Sequence, residues 1–293
     1  MAQARKILKR IKAVRNIRTV TKTMAMVAST RFKRAHDRAV AARPYTDRLA
    51  DVVGDLMARG GQKKLSHPLL REQESVRRDV LLVLTSHTGM CGGYNALVSS
   101  VAVARFKQIR AGGYEVLIRL VGKRGIQPLR FHGCPIDRLL PEFEHHPTYA
   151  EIAGVADELM AEFVAGKISG LEVAYTQYLS SGQQSAVIAQ LLPLTYMLPP
   201  PAPPGITPPP YEFLPSARQI LNQLLPTTVR LRLYQCFLDA AVTEQAARIR
   251  AMKAATENAD EMLHDLTVYY NRRRQAQITT ELAEIMGGAA GVE

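Results

Sequence analysis

Two helix-breaking residues are missing where they would matter most: no proline and no glycine occurs between Thr227 and Met286. Cysteine is scarce, with Cys91, Cys134 and Cys236 forming no CxxC pair. That excludes a disulfide framework and a cysteine-based zinc site and suits a reducing compartment. No apolar run approaches the roughly twenty residues of a membrane helix, so direct insertion into a bilayer is not expected. The first residues are basic but lack a following apolar core, which excludes a secretory signal. Acid is absent before Asp37. An arginine-rich import leader is nonetheless set aside, because an apolar helical pattern already begins at Ile7.

What is present is mostly helix and positive charge. The tract 227–286 repeats apolar residues at three- and four-residue spacing through Phe237, Ala241, Ile249, Met252, Ala255, Ala259, Met262, Leu266, Tyr269, Leu282 and Ile285. As one helix it would run on the order of 90 Å, longer than a compact domain is wide. Its seam is narrow, and Glu244, Arg248, Arg250, Lys253, Glu257, Asp260, Glu261 and Asp265 occupy the other faces, the pattern of a coiled-coil strand. A second helix is expected over 1–57, with Ile7, Ile11, Val14, Ile17, Met24, Val27 and Ala28 as its seam and a bend near Pro44. The two seams predict a long antiparallel coiled coil of the N- and C-terminal helices. Arg5, Lys6, Lys9, Arg10, Lys12, Arg15, Arg18 and Lys22 oppose that first helix's own dipole, so they are read as reserved for an acidic partner. A formal charge of +12 points the same way.

Between the helices the texture changes. Val80–Thr85 reads as a strand, Ser86–Gly93 as a glycine-bearing loop, Asn95–Ala111 as a helix and Glu115–Val121 as a second strand before Gly122-Lys123-Arg124-Gly125. A helix at Tyr149–Ala165 precedes a strand at Leu171–Tyr178, and a turn at 180–183 leads into a last strand at Ser185–Leu192. This order predicts a small Rossmann-like α/β domain over 76–192, with a mainly parallel sheet and an antiparallel edge. Pro193–Pro215 is a proline-rich loop and spacer, and the C-terminal helical segment is placed at 216–293.

The candidate sites are modest. Gly89-x-x-Gly92-Gly93 fits neither the P-loop nor the dinucleotide fingerprint. Cys91 four residues after His87 lacks a defined base and oxyanion site, so it reads as a structural thiol. His145-His146 beside Glu142 and Glu144 read as a surface loop rather than a metal site. Met24 and Arg248 read, from pattern alone, as seam or surface residues. Neither catalytic residues nor a cofactor or metal is expected. A basic coiled-coil protein that binds nucleic acid is the alternative function.

The run ITTELAEIMGGAA at Ile278–Ala290 resembles the C-terminal signature of the gamma subunit of F-type ATP synthases. VTKTMAMVAST at 20–30, ARPY at 42–45, MCGGYN at 90–95, VGKRG at 121–125 and EQAARIRAMKAATENA at 244–259 extend the resemblance along the chain. The resemblance implies a non-catalytic central rotor shaft that couples proton or sodium flow through a membrane ring to ATP synthesis or hydrolysis. Its implied partners are the alpha and beta subunits of the catalytic hexamer, the epsilon subunit and the c-subunit ring, with no nucleic acid. The implied location is peripheral, on the cytoplasmic face of the bacterial inner membrane. By motif position, Met24, Arg248, Gln275, Thr279 and Glu281 fall where the family makes rotor contacts with beta and alpha and couples energy. The chain departs from the family at Ser86–Gly93, which lacks the usual acid and arginine, in its proline-rich insertion, and at Met286. These departures mark a divergent bacterial member.

Overall fold

The computed structural model describes residues 2–59, 67–73, 75–141, 143, 147–180, 184–194 and 217–290. The proline tract beyond Leu194, the 181–183 turn, and Glu142 with Glu144, His145 and His146 lie outside the described residues. The chain divides into two compact units, one of residues 1–29 with 248–293, the other of residues 30–247. Two long helices contribute to both: α1 (Ala2–Arg59) and α5 (Ala217–Ala290).

In the first unit the helices pack through alternating four- and three-residue steps. On α1 the inward positions are Ile7, Ile11, Val14, Arg18, Thr21, Ala25 and Ala28, and on α5 they are Met252, Thr256, Ala259, Leu263, Leu266 and Tyr270. This is the 3.5-residue repeat of a coiled coil. Arg18 is ion-paired with Asp260, and the hydroxyls of Thr21 and Thr256 are 2.8 Å apart. Moving back along α1 from Thr21 to Arg18 moves the partner forward along α5, so the pair is antiparallel, as expected.

The strict repeat corrects the expected seams. On α1, Ile17 and Val27 do not enter; they are 55% and 45% exposed, Met24 also falls outside the repeat, and Arg18 and Thr21 take the inward places. On α5, the expected Met262, Tyr269, Leu282 and Ile285 are exposed, and Thr256, Leu263 and Tyr270 take inward places instead. Stepping 7, 11, 14 fixes 18 and 21 as the next inward positions whatever residues stand there.

The second unit is a doubly wound α/β layer. Its strands are β1 (Arg78–Leu84), β2 (Glu115–Val121), β3 (Ile136–Leu139), β4 (Gly170–Tyr178) and β5 (Gln184–Leu192), in the order β3-β2-β1-β4-β5. The first four are parallel, and β5 pairs antiparallel at the edge. Helices α2 (Tyr94–Ala111), α3 (Ile126–Phe131) and α4 (Tyr149–Val164) complete it. Both faces of β1 are buried, so its residues split by parity. Leu81 and Val83 meet α2 through Val98, Ala102 and Phe106. Val80, Leu82 and Leu84 belong to the opposite core, with Ile152, Leu159 and Phe163 of α4 and Leu225, Val229 and Leu233 of α5.

Strand β3 and helix α3 were not expected. Only Ile136 and Leu139 of β3 are apolar, and an edge strand this short presents no periodic run. Helix α5 begins at Ala217, inside the segment placed at 216–293, and passes through Pro226. A proline there costs a backbone hydrogen bond and a clash, about 3 kcal/mol. Burial of Leu221, Leu225, Val229 and Leu233 along one face offsets that cost.

Candidate functional site

In the first unit, the residues left facing outward form a surface of unusual composition. Ile17, Val20, Met24 and Val27 step by three, four and three along α1, which puts them on one stripe about 100° around the helix from the seam. Ile17, Val20 and Val27 are exposed, and Met24 is half-buried among them. On α5 the exposed apolar side chains are Met262, Val268, Tyr269, Ile278, Leu282, Ile285 and Met286, the last two at 68% and 73%. The seam thus holds a threonine pair, with the half-exposed Arg18–Asp260 ion pair at its edge, while Ile17, Val20 and Val27 face outward. A free-standing coiled coil would place them the other way round. Arg5, Lys6, Lys9, Arg10, Lys12 and Arg15 are exposed beside this stripe.

The site residues singled out from the sequence do not share one environment. Gln275 and Thr279 are exposed on a common face, with the Thr279 hydroxyl donating to the Gln275 carbonyl at 3.0 Å. Glu281, two residues beyond Thr279, lies on the far side of the helix and accepts from Gln277 Nε2 at 2.8 Å. The reading of Arg248 as an outward-facing charge is overturned, because only 7% of it is exposed. A guanidinium is tolerated inside only where other groups satisfy it, so Arg248 acts on the packing of α5 rather than as a surface charge.

In the second unit, the loops at the carboxyl ends of β1 and β2 are packed tightly. A side chain on Gly122 would stand 2.1 Å from the Thr85 carbonyl oxygen, and its φ is +91°. One on Gly125 would meet Thr85 Oγ1 at 2.7 Å. The Thr85 hydroxyl in turn donates to Val121 O at 2.8 Å, and Arg124 N–H to Ser86 O at 3.1 Å. Gly-x-x-Gly here is therefore a spacing device that lets two turns touch. Cys91 is buried, and its sulfur receives Asn95 Nδ2 at 3.2 Å and lies 3.5 Å from Ser86 Oγ. That network pins the loop to the start of α2, which supports the structural reading of the thiol. Among the described residues no group of three His, Cys, Asp or Glu stands close enough together to hold a metal ion.

A cleft of about 570 Å³ opens beside these loops. Arg31 and Arg34 of α1, Leu84, Thr85, His87 and Tyr94 border it, as do Phe237, Glu244 and Gln245 of α5. Deeper in the same unit Asp239 is 3% exposed, 3.6 Å from Arg43 Nη2 and bonded by Gln235 Nε2 at 3.0 Å. Burial pushes its carboxyl up to about 6 against the opposing pull of Arg43. Burial likewise pushes the neighbouring Cys236 thiol up to about 12 and raises the Tyr175 phenol.

The profile of the ATP synthase family matches residues 3–292. The ATP synthase gamma chain of Rhodopirellula baltica is 43% identical over 297 residues, covering all of both chains. That of Frankia casuarinae is 36% identical over 98% of this chain and 97% of its own. The chain belongs to the ATP synthase gamma chain family. Its fold is also that of a chain in the cryo-EM structure of Euglena gracilis mitochondrial ATP synthase (OSCP/F1/c-ring), with a TM-score of 0.70 at 16% identity over 99% of this chain and 95% of that one. No helix among the described residues is long and apolar enough to cross a membrane. For a gamma-family chain, the informative residues that sequence reading missed are Ile17 and Val27, misplaced in the seam, together with Val20. Counting strict four-three steps from Ile7 would have put all three outside.

Proposed function

We infer that this gamma-family chain is the central-stalk rotor of an F-type ATP synthase and that its outward apolar stripe is the surface on which the surrounding subunits bear. The observation that carries the reading is the outward apolar stripe of the first unit, with Ile17, Val20 and Val27 exposed while Thr21 and Thr256 hold places in the seam. A helix pair built this way is stabilised fully only inside an apolar sleeve. The sleeve is the ring of alpha and beta subunits. Gln275 and Thr279 face one part of it and Glu281 another, as expected of a shaft enclosed on several sides.

The mechanism is differential contact. Each orientation of an asymmetric shaft favours one conformation at each surrounding catalytic site, and rotation moves that preference around the ring. The chain transmits torque and performs no bond chemistry of its own. Met24 bears on the sleeve directly, while Arg248 holds α5 in the shape that bears. The α/β unit serves the epsilon subunit and the c ring, whose rotation is driven by protons or sodium ions. The basic N-terminal face is attracted to acidic surfaces of the sleeve without fixed pairing. The chain acts peripherally, on the cytoplasmic face of the membrane. A nucleic-acid-binding role would explain the basic face alone and leaves the apolar stripe and the family membership without a purpose.

Co-expression of the tagged chain with the alpha and beta subunits of the same genome tests the reading. A stable complex is expected whose ATP turnover is lost when 279–293 and 1–18 are both removed. A chain that purifies alone as a soluble monomer and ignores those subunits would overturn it.

A further inference from the structure

The cleft in the second unit is unused by the rotor mechanism, and its walls have the make-up of a ligand pocket. It sits at the carboxyl end of β1, between β2, which the chain reaches through α2 on one face of the sheet, and β4, which it reaches from β3 through α4 on the other, the kind of crevice where open α/β sheets receive ligands. Its volume of about 570 Å³ lies within the range of small-molecule sites. Its lining includes two aromatic rings, Tyr94 and Phe237, and the guanidinium-bearing Arg31 and Arg34, one helical turn apart. Among the described residues that line it, Glu244 is the one carboxylate beside those two guanidiniums.

An independent observation points to an occupant. Gln245 lines the cleft and is only 4% exposed. Its amide nitrogen donates to Glu244 Oε1 at 3.4 Å, while its amide oxygen is buried with no hydrogen-bond partner among the described residues. A buried carbonyl oxygen left without a donor is costly, and a ligand donor would relieve it.

We propose that this cleft binds a small aromatic acid that also carries a hydrogen-bond donor: the ring lies beside Tyr94 and Phe237, the acid meets Arg31 and Arg34, and the Gln245 side chain turns its shielded Oε1 toward the cleft to accept from the donor. The inference concerns the α/β unit alone and stands whether or not the shaft reading holds.

The probe is 4-hydroxybenzoate, titrated calorimetrically into the full-length chain, with benzoate lacking the donor and phenol lacking the acid as comparisons. One saturable site is expected for 4-hydroxybenzoate, with each comparison bound about tenfold more weakly, the worth of one good hydrogen bond. Arg34→Ala, at an exposed position that the core does not need, should weaken both acids and leave phenol unchanged. Gln245→Leu should bring 4-hydroxybenzoate down to the affinity of benzoate. Absence of binding to the wild-type chain overturns the proposal, as does binding indifferent to both substitutions. Thermal melts of the two variants establish that they are folded, so that a loss of affinity reports on the cleft.

Discussion

The hydroxyls of Thr21 and Thr256 meet at 2.8 Å in the middle of a coiled-coil seam, a place where leucine or isoleucine would pack better. Each hydroxyl also lies against its own helix, Thr21 at the Arg18 carbonyl and Thr256 at the Met252 carbonyl. Replacing one partner leaves the other buried with less to bond, whereas replacing both removes the polar pair. Thr21→Val alone should therefore cost about 1 kcal/mol, while the Thr21→Val, Thr256→Val double variant should come out near neutral. Denaturant unfolding of all four forms gives the interaction energy directly. Strictly additive single effects would mean that the hydroxyls do not interact.

Met24 sits between Val20 and Val27 on the outward stripe and is half-buried by its neighbours. Met24→Lys puts an ammonium into a surface that the proposed sleeve covers with apolar or acidic groups. The variant should hydrolyse ATP while moving several-fold fewer ions for each ATP consumed, because a new fixed contact resists turning. The check is ion pumping and ATP hydrolysis measured together on assembled complexes in vesicles. An unchanged ratio would detach Met24 from coupling.

How much of this was legible in the sequence depends on how local the signal is. The run Val80–Thr85 could be read because both faces of a central strand are apolar, and the two long helices because their repeats extend over many turns. Strand β3 left no trace because Asp137 and Arg138 occupy half of its four residues. Ile17 and Val27 misled because hydrophobicity was taken to mean inside, while the coiled-coil step decides facing by position. Arg248 misled for the complementary reason, since its burial depends on packing distant in sequence. The cleft was out of reach altogether: Arg31, Tyr94 and Gln245 are each unremarkable in the chain, and only folding brings them to one opening.

Two glycines of similar appearance should respond oppositely to alanine. At Gly122, a methyl group would stand 2.1 Å from the Thr85 carbonyl oxygen at a φ of +91°, so the touching turns of β1 and β2 must separate. Gly122→Ala should cost several kcal/mol, about 3 or more, since both strain and clash are involved. Gly154, inside α4, has nothing within 4 Å of the new methyl group, and Gly154→Ala should stabilise by about 0.5–1 kcal/mol. Thermal melts of the two variants decide it. A tolerated Gly122→Ala would mean that the two turns are not held together as described.

Asp239 ties the charge balance of the second unit to pH. Its carboxyl is raised to about 6 from an ordinary value of 3.8, chiefly by burial, so the folded chain holds the proton more tightly than the unfolded chain does. The sign follows from linkage: the group's favourable contribution is complete below about pH 4 and is lost as the pH rises through about 6. At pH 8 the ionised carboxylate costs the fold about 3 kcal/mol relative to its protonated form. Asp239→Asn keeps the shape and the bond to Gln235 while removing the charge, and it leaves Arg43, which is half in solvent, its second bond to the Tyr178 carbonyl. The variant should therefore be the more stable of the two at pH 8, with the difference shrinking as the pH falls and vanishing near pH 4. Urea unfolding at a series of pH values measures that difference. A gain that persists undiminished at pH 4 would show that the asparagine stabilises by packing, and a loss at pH 8 would show that the ion pair with Arg43 outweighs the burial of the charge.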